Sequence, residues 1–417
     1  MGRFFKQTIH DVDIRHRTVL VRVDYNVPLT HDGQVADDLR IRASWPTVQY
    51  LLQQGCKVVL ISHLGRPHGR DARLSLSVVA EYISRVLHQP IQFIRDCVGD
   101  EVRQAVRRAP RGSLLLLENL RFYAEEEADD TVFARAIAKA TEADYFVQDG
   151  FAVVHRSHAS THAITLYIPS LAGDLLQREY TMLWQVMARP SRPCVAVIGG
   201  AKVSDKMALI RRLIDRADTI LLGGAMATTF LRQDGLPIGR SLAEDEPDRV
   251  ASIYAAAKQK VGQVQYRQLL RLPRDVAVGA DLQSDEPRRE VPVDAVGTDE
   301  MILDIGTQTI KQFSDILSRA RTIIWNGPLG VATNPQYAVG SAAIAQAIDA
   351  NHQAVSVIGG GDTAEFIAQW AKDQQRPARV THISTGGGAS LALLSGQRLP
   401  GVDSLLDAHG LRCYTKA

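Results

Sequence analysis

The chain has 417 residues, of which 45% are hydrophobic and 23% charged, and its formal net charge is +2. This length exceeds what one hydrophobic core usually supports, so two domains are expected, and the ordinary composition excludes disordered, collagen-like and coiled-coil chains. The sequence has neither a basic stripe for nucleic acid nor an apolar run that could span a membrane, so neither partner is expected. Four scattered cysteines without a CxxC pair and the lack of a signal peptide predict a cytoplasmic protein with reduced thiols.

Short runs of Val, Ile and Leu alternate with segments of helical period through the first half of the chain. Apolar runs at 19–23, 58–61, 114–117 and 145–147 predict strands, whereas the spacing of apolar residues at 75–89 predicts a helix. Uninterrupted apolar strands that alternate with helices are typical of a parallel sheet that is covered on both faces.

The same alternation resumes after Pro193, with predicted strands at 195–198, 219–222, 322–325, 355–358 and 380–383. The predicted fold class is therefore α/β, with two doubly wound (Rossmann-like) parallel-sheet domains at residues 1–169 and 190–396. A long helix at 170–189 is predicted to join them. The tail at 397–417 is expected to pack back on the N-terminal domain, and the polar stretch 281–292 is expected to be a surface excursion.

Polar and basic residues follow the predicted strands of the first half. Ligands of open parallel sheets bind beyond the carboxyl ends of the strands, and guanidinium groups bind carboxylate or phosphate through a planar fork. Any single arginine is as readily explained by a solvated loop as by an anion site. The repetition of such residues at four strand ends, however, predicts a pocket for a polyanion. The residues concerned are Asp24, Asn26, Arg40, His63, Leu64, Gly65, Arg66, Arg121 and Arg156.

Glycine turns follow the predicted strands of the second half, at 199–200, 223–224, 359–361 and 386–388. Glycine lets backbone N–H groups approach a phosphate, and the N-terminus of the following helix adds partial positive charge. Neither the P-loop pattern GxxxxGK[ST] nor the dinucleotide pattern GxGxxG occurs, which argues against P-loop and nicotinamide enzymes. Four such turns therefore indicate a nucleotide site of another kind.

Two lysines and one aspartate stand beside these turns. Lys202 and Lys206 are four residues apart, so at the start of a helix their ammonium groups point the same way and suit a transferring phosphoryl group. Asp362 follows three glycines, from where it can reach a Mg²⁺ ion held by nucleotide phosphates. The alternative is that Asp362 or Thr363 simply caps the next helix.

These segments, taken in order, resemble the phosphoglycerate kinase family over essentially the whole chain. The resemblance rests on RVDYNVP (22–28), SHLGRP (62–67), LENLRF (117–122), GGAKVSDK (199–206), WNGPLG (325–330), GGGDT (359–363) and STGGGAS (384–390). It implies reversible Mg²⁺-dependent phosphoryl transfer from 1,3-bisphosphoglycerate to ADP, which yields 3-phosphoglycerate and ATP. It also implies a cytoplasmic monomer in central carbon metabolism, including glycolysis, with hinge closure of the two domains.

The resemblance assigns a role to each candidate residue. The implied phosphoglycerate-binding residues are Asp24, Asn26, Arg40, His63, Leu64, Gly65, Arg66, Arg121 and Arg156. The implied nucleotide-binding residues are Lys202, Lys206, Asn326, Gly360, Gly361, Asp362 and Thr363, and Asp362 is the implied Mg²⁺ contact. The groups implied to stabilise the transferring phosphoryl are Arg40, Lys206, Gly386, Gly387 and Gly388.

The chain also departs from the family pattern. Ala332 and Thr333 stand where the family usually has Phe and a Glu that contacts the nucleotide ribose, and residues 152–154 are changed as well. Weaker or less base-selective nucleotide binding is therefore predicted. The departures leave open a low-activity paralogue of the same fold with a binding or regulatory role. A kinase for another carboxylate is disfavoured by the full set of arginines.

Overall fold

The structure is a computed structural model that describes residues 4–201, 203–284 and 287–408. It divides into two compact units, one formed by Met1–Thr181 with Arg398–Ala417 and the other by Met182–Gln397. Within the described ranges, no helix combines the length and hydropathy needed to cross a bilayer.

The first unit is built on one sheet of six parallel strands. These are β1 (Thr18–Arg22), β2 (Lys57–Ile61), β3 (Gln92–Ile94), β4 (Leu114–Leu117), β5 (Tyr145–Gln148) and β6 (Ser170–Ala172), in the order β3-β4-β2-β1-β5-β6. The helices are α1 (Leu39–Gln53), α2 (Ser77–Val86), α3 (Gly99–Arg108), α4 (Thr131–Thr141) and α5 (Asp174–Ala188), the last of which runs into the second unit.

Alternate residues of these strands enter two separate cores, one on each face of the sheet. Val21 of β1 packs in one core with Ile41 of α1, whereas its neighbour Leu20 packs in the other with Val102 of α3 and Phe133 of α4. Both faces are therefore apolar, which explains why the strands read as uninterrupted hydrophobic runs. The predicted parallel sheet with helices on both faces is confirmed.

The second unit has a six-stranded parallel sheet and a smaller antiparallel one. Its strands are β7 (Cys194–Ile198), β8 (Thr219–Leu222), β9 (Leu270–Arg271), β10 (Asp275–Gly279), β11 (Arg289–Pro292), β12 (Met301–Ile305), β13 (Thr322–Asn326), β14 (Val355–Gly359) and β15 (His382–Ile383). The parallel sheet has the order β15-β14-β13-β7-β8-β9, and the antiparallel sheet the order β11-β10-β12. The predicted fold class, α/β with two parallel-sheet domains, is confirmed.

Helices connect the strands of this unit. They are α6 (Ser204–Arg216), α7 (Gly224–Gln233), α8 (Pro247–Val261), α9 (Tyr266–Leu269), α10 (Thr307–Leu317), α11 (Val339–Ala350), α12 (Gly361–Asp373) and α13 (Gly388–Leu394). A short helix, α14 (Pro400–Asp403), follows in the chain segment that belongs to the first unit.

The predicted start of the long helix was wrong. Residues 170–172, predicted as the start of the long helix, form β6, because they pair with β5 in parallel register. The helix begins only at Asp174, where the buried Asp149 carboxylate accepts hydrogen bonds from the N–H groups of Leu175 and Leu176. The stretch 281–292, expected to be a surface excursion, is mainly exposed where it is described, but it ends in β11, where Val291 pairs with β10 and is buried in a small apolar cluster.

The C-terminal segment of the first unit packs around a buried lysine. The Lys6 ammonium group, 2% exposed, donates hydrogen bonds to the carbonyls of Asp403 (2.7 Å) and Leu405 (2.9 Å) and to the Asp407 carboxylate (2.8 Å). A backbone bridge joins Lys6 to Asp407 as well. Residues 409–417 of the predicted tail lie outside the described residues.

Candidate active site

The basic residues of the first unit gather at one edge of its sheet. They follow β1, β2, β4 and β5, and these four strands are neighbours in the order β4-β2-β1-β5. Because the strands are parallel, their carboxyl ends meet at the same edge.

Hydrogen bonds fix the loops that carry these side chains. Arg40 forms an ion pair with Asp24, and the Asn26 side-chain oxygen accepts a hydrogen bond from the N–H of Gly65 at 2.8 Å. The Asn119 amide bonds both backbone groups of Leu64. The loop after β2 is thereby held by the loops after β1 and β4.

Arg121 is held in the same way. Its guanidinium donates to the Gly65 carbonyl at 2.7 Å and lies 2.9 Å from the Glu127 carboxylate. Burial lowers its pKa, and the charges of Arg156 and Arg66 lower it further, while Glu127 opposes them. The electrostatic coupling shows that these arginines lie near one another.

His63 is the buried centre of this group. Its pKa is well below the usual value, first because of burial and then because Arg22, Arg121, Arg40 and His158 are close. Arg66 is exposed, and Arg156 is half-buried and donates to the ring of its neighbour His155. Arg40 and Arg121 are paired with carboxylates, whereas no carboxylate of the described residues forms an ion pair with Arg66 or Arg156. This edge therefore keeps a surplus of positive charge, which favours an anionic ligand.

In the second unit, the glycine turns meet where the strand order reverses, between β7 and β13. The N–H of Gly199 bonds the Asn326 carbonyl, and the N–H of Gly200 bonds the Pro328 carbonyl at 2.7 Å. A Cβ atom on Gly199 would lie 2.1 Å from that carbonyl oxygen, so only glycine fits. The ends of β7 and β13 are therefore in direct backbone contact, which leaves no room for a side chain at Gly199.

Lys206 lies over this junction. Its ammonium group donates to the Gly199 carbonyl at 2.6 Å and lies 2.4 Å from where a Cβ atom on Gly327 would be. Burial lowers its pKa to about 8, against the opposing charges of Asp362 and Asp205. A partly desolvated lysine at the junction of glycine turns is suited to bind a phosphate.

The end of β14 supplies the next part of the site. Gly360 has a φ of +94° and is the N-cap of α12, so neither Asp362 nor Thr363 caps that helix. The buried Thr363 hydroxyl instead accepts a hydrogen bond from the N–H of Gly327 at 2.7 Å, and the Asn326 amide lies beside Gly360. Asp362 is exposed in the first turn, and no described residue forms a hydrogen bond or ion pair with its carboxylate.

The last glycine turn follows β15. The N–H of Gly386 donates to the Ser384 hydroxyl at 3.1 Å, and Gly387, with a φ of +49°, is the N-cap of α13, which begins at Gly388. Among the described residues, no hydrogen bond links these three glycines to Lys206. The turn is nevertheless adjacent to β14, since the Ser390 side chain lies 3.8 Å from a Cβ position on Gly359.

A cavity of about 240 Å³ opens beside the β7 and β13 turns. It is lined mainly by small and apolar residues, including Gly200, Ala225 and Leu329, together with two carboxylate-bearing residues, Asp304 and Asp362. Thr333 is exposed and is not one of its lining residues. An apolar cleft that borders glycine turns suits a nucleobase.

Comparisons with known proteins agree with this geometry. The family model described as "Phosphoglycerate kinase" matches residues 9–397. The phosphoglycerate kinase of Pelotomaculum thermopropionicum is 44% identical over 404 residues, covering 96% of this chain and 99% of that one. That of Synechococcus elongatus is 43% identical over 401 residues, covering 95% and 97%.

Solved structures are similar over the same length. The phosphoglycerate kinase structure from Coxiella burnetii superposes with a TM-score of 0.82 at 34% identity, and that from Pyrococcus horikoshii with 0.80 at 30%. Each comparison covers 96% of this chain and 98% of the other. The chain belongs to the phosphoglycerate kinase family.

Membership in the phosphoglycerate kinase family makes the chain a phosphotransferase with a carboxyl group as acceptor. The substrate-site residues that the resemblance implies all lie at the sheet edge of the first unit, in the loops described above or, for Arg40, in the first turn of α1. Those implied for the nucleotide lie at the strand ends of the second unit, except Lys202, which is outside the described residues. Their individual roles stay predictions.

The phosphoglycerate kinase site has buried supports that the sequence did not predict. Arg22, Glu126 and Ser160 form one network beneath His63, and the Glu244 carboxylate accepts the N–H groups of Val203 and Ser204 at the start of α6. The sequence feature that could have indicated this network is a charged residue, Arg22, at the end of an otherwise apolar strand.

Proposed function

We propose that the chain catalyses reversible, Mg²⁺-dependent phosphoryl transfer from 1,3-bisphosphoglycerate to ADP, which yields 3-phosphoglycerate and ATP. The observation that carries the proposal is Lys206, a half-buried lysine that bonds the Gly199 carbonyl at the junction of glycine turns and has a pKa of about 8. Family membership supplies the reaction, and the basic edge of the first unit supplies a matching anion site.

In the first unit, the cationic side chains neutralise the phosphate and carboxylate of the substrate, and polar groups orient it. The arginines have the geometry for bidentate bonds to both anions. Loop backbone contributes through Leu64 and Gly65. The proposed binding residues are Asp24, Asn26, Arg40, His63, Leu64, Gly65, Arg66, Arg121 and Arg156.

In the second unit, the nucleotide phosphates lie at the glycine turns and the N-terminus of α12. Backbone N–H groups and the partial charge of the helix end favour anions there. The proposed nucleotide-binding residues are Lys202, Lys206, Asn326, Gly360, Gly361, Asp362 and Thr363.

Asp362 is the proposed Mg²⁺ contact. The chemistry of the position fits, because Mg²⁺ is usually held by one or two carboxylates together with substrate phosphates. Bound Mg²⁺ would neutralise phosphate charge. Asp362 itself has no competing partner in the described part of the chain, and its charge also favours the protonated form of Lys206.

The protein has little covalent chemistry to perform. In the forward direction, the bond between phosphorus and the acyl oxygen breaks, and a β-phosphate oxygen of ADP forms the new bond. An acyl phosphate is a reactive donor, so charge neutralisation and orientation suffice. We assign the charge neutralisation to Arg40, Lys206 and the backbone of Gly386, Gly387 and Gly388.

A coupled assay of ATP consumption with 3-phosphoglycerate tests this function. We expect activity in the unchanged chain and a loss of roughly 10²–10³-fold in Lys206→Ala, since a preorganised cation at the transferring group is removed. Lys372→Ala, at the exposed far end of α12, is the control and should keep full activity. An inactive unchanged chain that still binds 3-phosphoglycerate would support the low-activity paralogue instead.

A cytoplasmic monomer without nucleic-acid partners is the accompanying proposal. It rests on composition and on family membership. Sedimentation equilibrium of the full chain tests the monomer, and a stable dimer would contradict it.

A further inference from the structure

Arg22 at the end of β1 lies directly beneath the proposed phosphoglycerate site. Its side chain is 1% exposed, and its Nε donates a hydrogen bond to the Ser160 hydroxyl at 2.8 Å. A terminal nitrogen of the guanidinium lies 3.3 Å from Nδ1 of His63. Arg22 therefore contacts the imidazole ring of His63, a residue of the proposed site, from the protein interior.

A fully buried carboxylate holds Arg22 in this orientation. Both oxygens of Glu126 accept from Ser160, one from its hydroxyl at 2.6 Å and the other from its N–H at 3.0 Å. The same carboxylate lies 3.9 Å from the Arg22 guanidinium. Because a buried arginine needs such a counter-charge, Glu126 and Ser160 together fix the guanidinium plane.

The chemistry of arginine decides the tautomer of His63. A guanidinium has only donors, so Nδ1 of His63 must accept the hydrogen bond and therefore carries no proton. We infer that Arg22, held by Glu126 and Ser160, is a positioning residue that keeps His63 in the tautomer with its proton on Nε2. No described residue accepts from Nε2, which leaves this N–H for a ligand.

The surroundings of His63 oppose its protonated form. The charged and titratable groups that face it are Arg22 from β1, Asp24 beyond β1 at 3.9 Å, Arg40 from α1, Arg121 beyond β4 and His158 beyond β5. Burial and the nearby cations hold the pKa of His63 well below its usual value. The neutral imidazole is therefore the populated form near neutral pH.

This arrangement has a consequence for ligand binding, which rests on the proposed function. His63 donates its Nε2–H to an anionic oxygen of phosphoglycerate without taking up a proton. Binding should therefore show no contribution from His63 titration between about pH 6 and 8.

Nitrogen-15 NMR of the ligand-free full chain, labelled at histidine, tests the tautomer directly. We expect an unprotonated Nδ1 and a protonated Nε2 for His63 throughout about pH 6 to 8. A proton on Nδ1, or an imidazolium within that range, would overturn the inference. This measurement needs no turnover, so it stays informative if the proposed reaction is absent.

The variant Arg22→Met/Glu126→Gln tests the role of the support. It removes both charges of the buried pair, which avoids leaving one ion unpaired. We expect a mixture of His63 tautomers and a KM for 3-phosphoglycerate that rises roughly tenfold, with kcat changed less than about threefold, since a ground-state contact is weakened.

Thr141→Val is the matched control. Thr141 is a buried polar residue of the same unit, and its hydroxyl bonds only carbonyls of its own helix. This control should keep the His63 spectrum and the KM of the unchanged chain. A double variant with an unchanged spectrum and KM would show that Arg22 does not position His63.

Discussion

Lys206 combines a half-buried position with a charge that the proposed phosphoryl transfer uses. Its folded-state pKa of about 8 is below the ordinary value of 10.5, so the unfolded chain binds more protons between these two values. Below about pH 8 the charged Lys206 therefore costs stability in full, and the cost fades as pH rises toward 10.5. A phosphate bound at Lys206, as proposed, would compensate this cost by interacting with the charged form.

We predict that this titration is visible in the kinetics. The kcat/KM for nucleotide should fall above about pH 8, because kcat/KM reports the pKa values of the free enzyme. In Lys206→Arg the highest value of kcat/KM should be lower than in the unchanged chain. Its decrease at alkaline pH should move beyond the pH range in which the protein can be assayed, since arginine does not deprotonate. An identical alkaline fall in Lys206→Arg would assign it to another group.

Thr333 is the position where the resemblance predicts a lost contact to ribose. We expect Thr333→Glu to bind ADP more tightly, by about 1–3 kcal/mol, if the carboxylate restores a hydrogen bond to the sugar. Isothermal titration calorimetry measures the difference. Thr333→Gln, which adds length without charge, is the control, and equal ADP affinities of Thr333→Glu and the unchanged chain would refute the prediction.

Helix α12 shows how one glycine can be essential while its neighbour is not. Gly360 has a φ of +94° and a ψ of 135°, a conformation nearly restricted to glycine, and a Cβ there would lie 3.3 Å from the Asn326 amide. At Gly361 no atom lies within 4 Å of a Cβ position. The turn before the helix, rather than the helix itself, therefore demands glycine.

This contrast gives a paired prediction. Gly360→Ala should lower the free energy of unfolding by about 1–3 kcal/mol, whereas Gly361→Ala should change it by less than about 0.5 kcal/mol. Urea unfolding without nucleotide measures both, which separates stability from phosphate binding. Equal losses in the two variants would contradict the conformational explanation.

The elements that the sequence predicted best are the central strands. Val58 and Leu115 lie in strands with neighbours on both sides, so burial on both faces makes the apolar run unmistakable. The edge strand β6 has only three residues, and in the sequence they run directly into the apolar residues of α5. The apolar spacing of β6 could therefore not be distinguished from that of the helix. In β11 only Val291 is buried, which leaves almost no apolar pattern.

The candidate site divides in the same way. Loop residues such as Arg121 could be predicted because their position after a strand is visible in the sequence. The buried network could not, since Glu126 belongs to an acidic run typical of a solvated loop, yet it is fully buried. Only the tertiary structure brings it to Arg22, which is 104 residues earlier in the chain by their numbers.

At the scale of the whole molecule, the first unit is made from both ends of the chain, residues up to 181 and those from 398 onward. Lys6 joins the two ends through three hydrogen bonds in a buried setting. The second unit is consequently an insertion, entered through α5 and left just before residue 398.

We predict that Lys6→Met destabilises the first unit by about 2–4 kcal/mol, because it leaves the carbonyls of Asp403 and Leu405 without their buried donor. Thermal unfolding measures the loss, and limited proteolysis should cut the segment after residue 398 sooner. Arg15→Ala removes an ion pair with Asp13 in which both side chains are 67% exposed, and should be close to neutral. Equal effects of both substitutions would show that the Lys6 bonds contribute little.

The insertion also determines the order in which the protein can be completed during synthesis. The ribosome releases residues 4–181 long before the partners of Lys6 exist, so the first unit emerges without the segment that Lys6 binds. The second unit can fold while the ribosome is still translating the C-terminal segment. The first unit is therefore started first and completed last. In nascent chains that are stalled before residue 398, we expect proteases to cleave the first unit more readily than in the full chain.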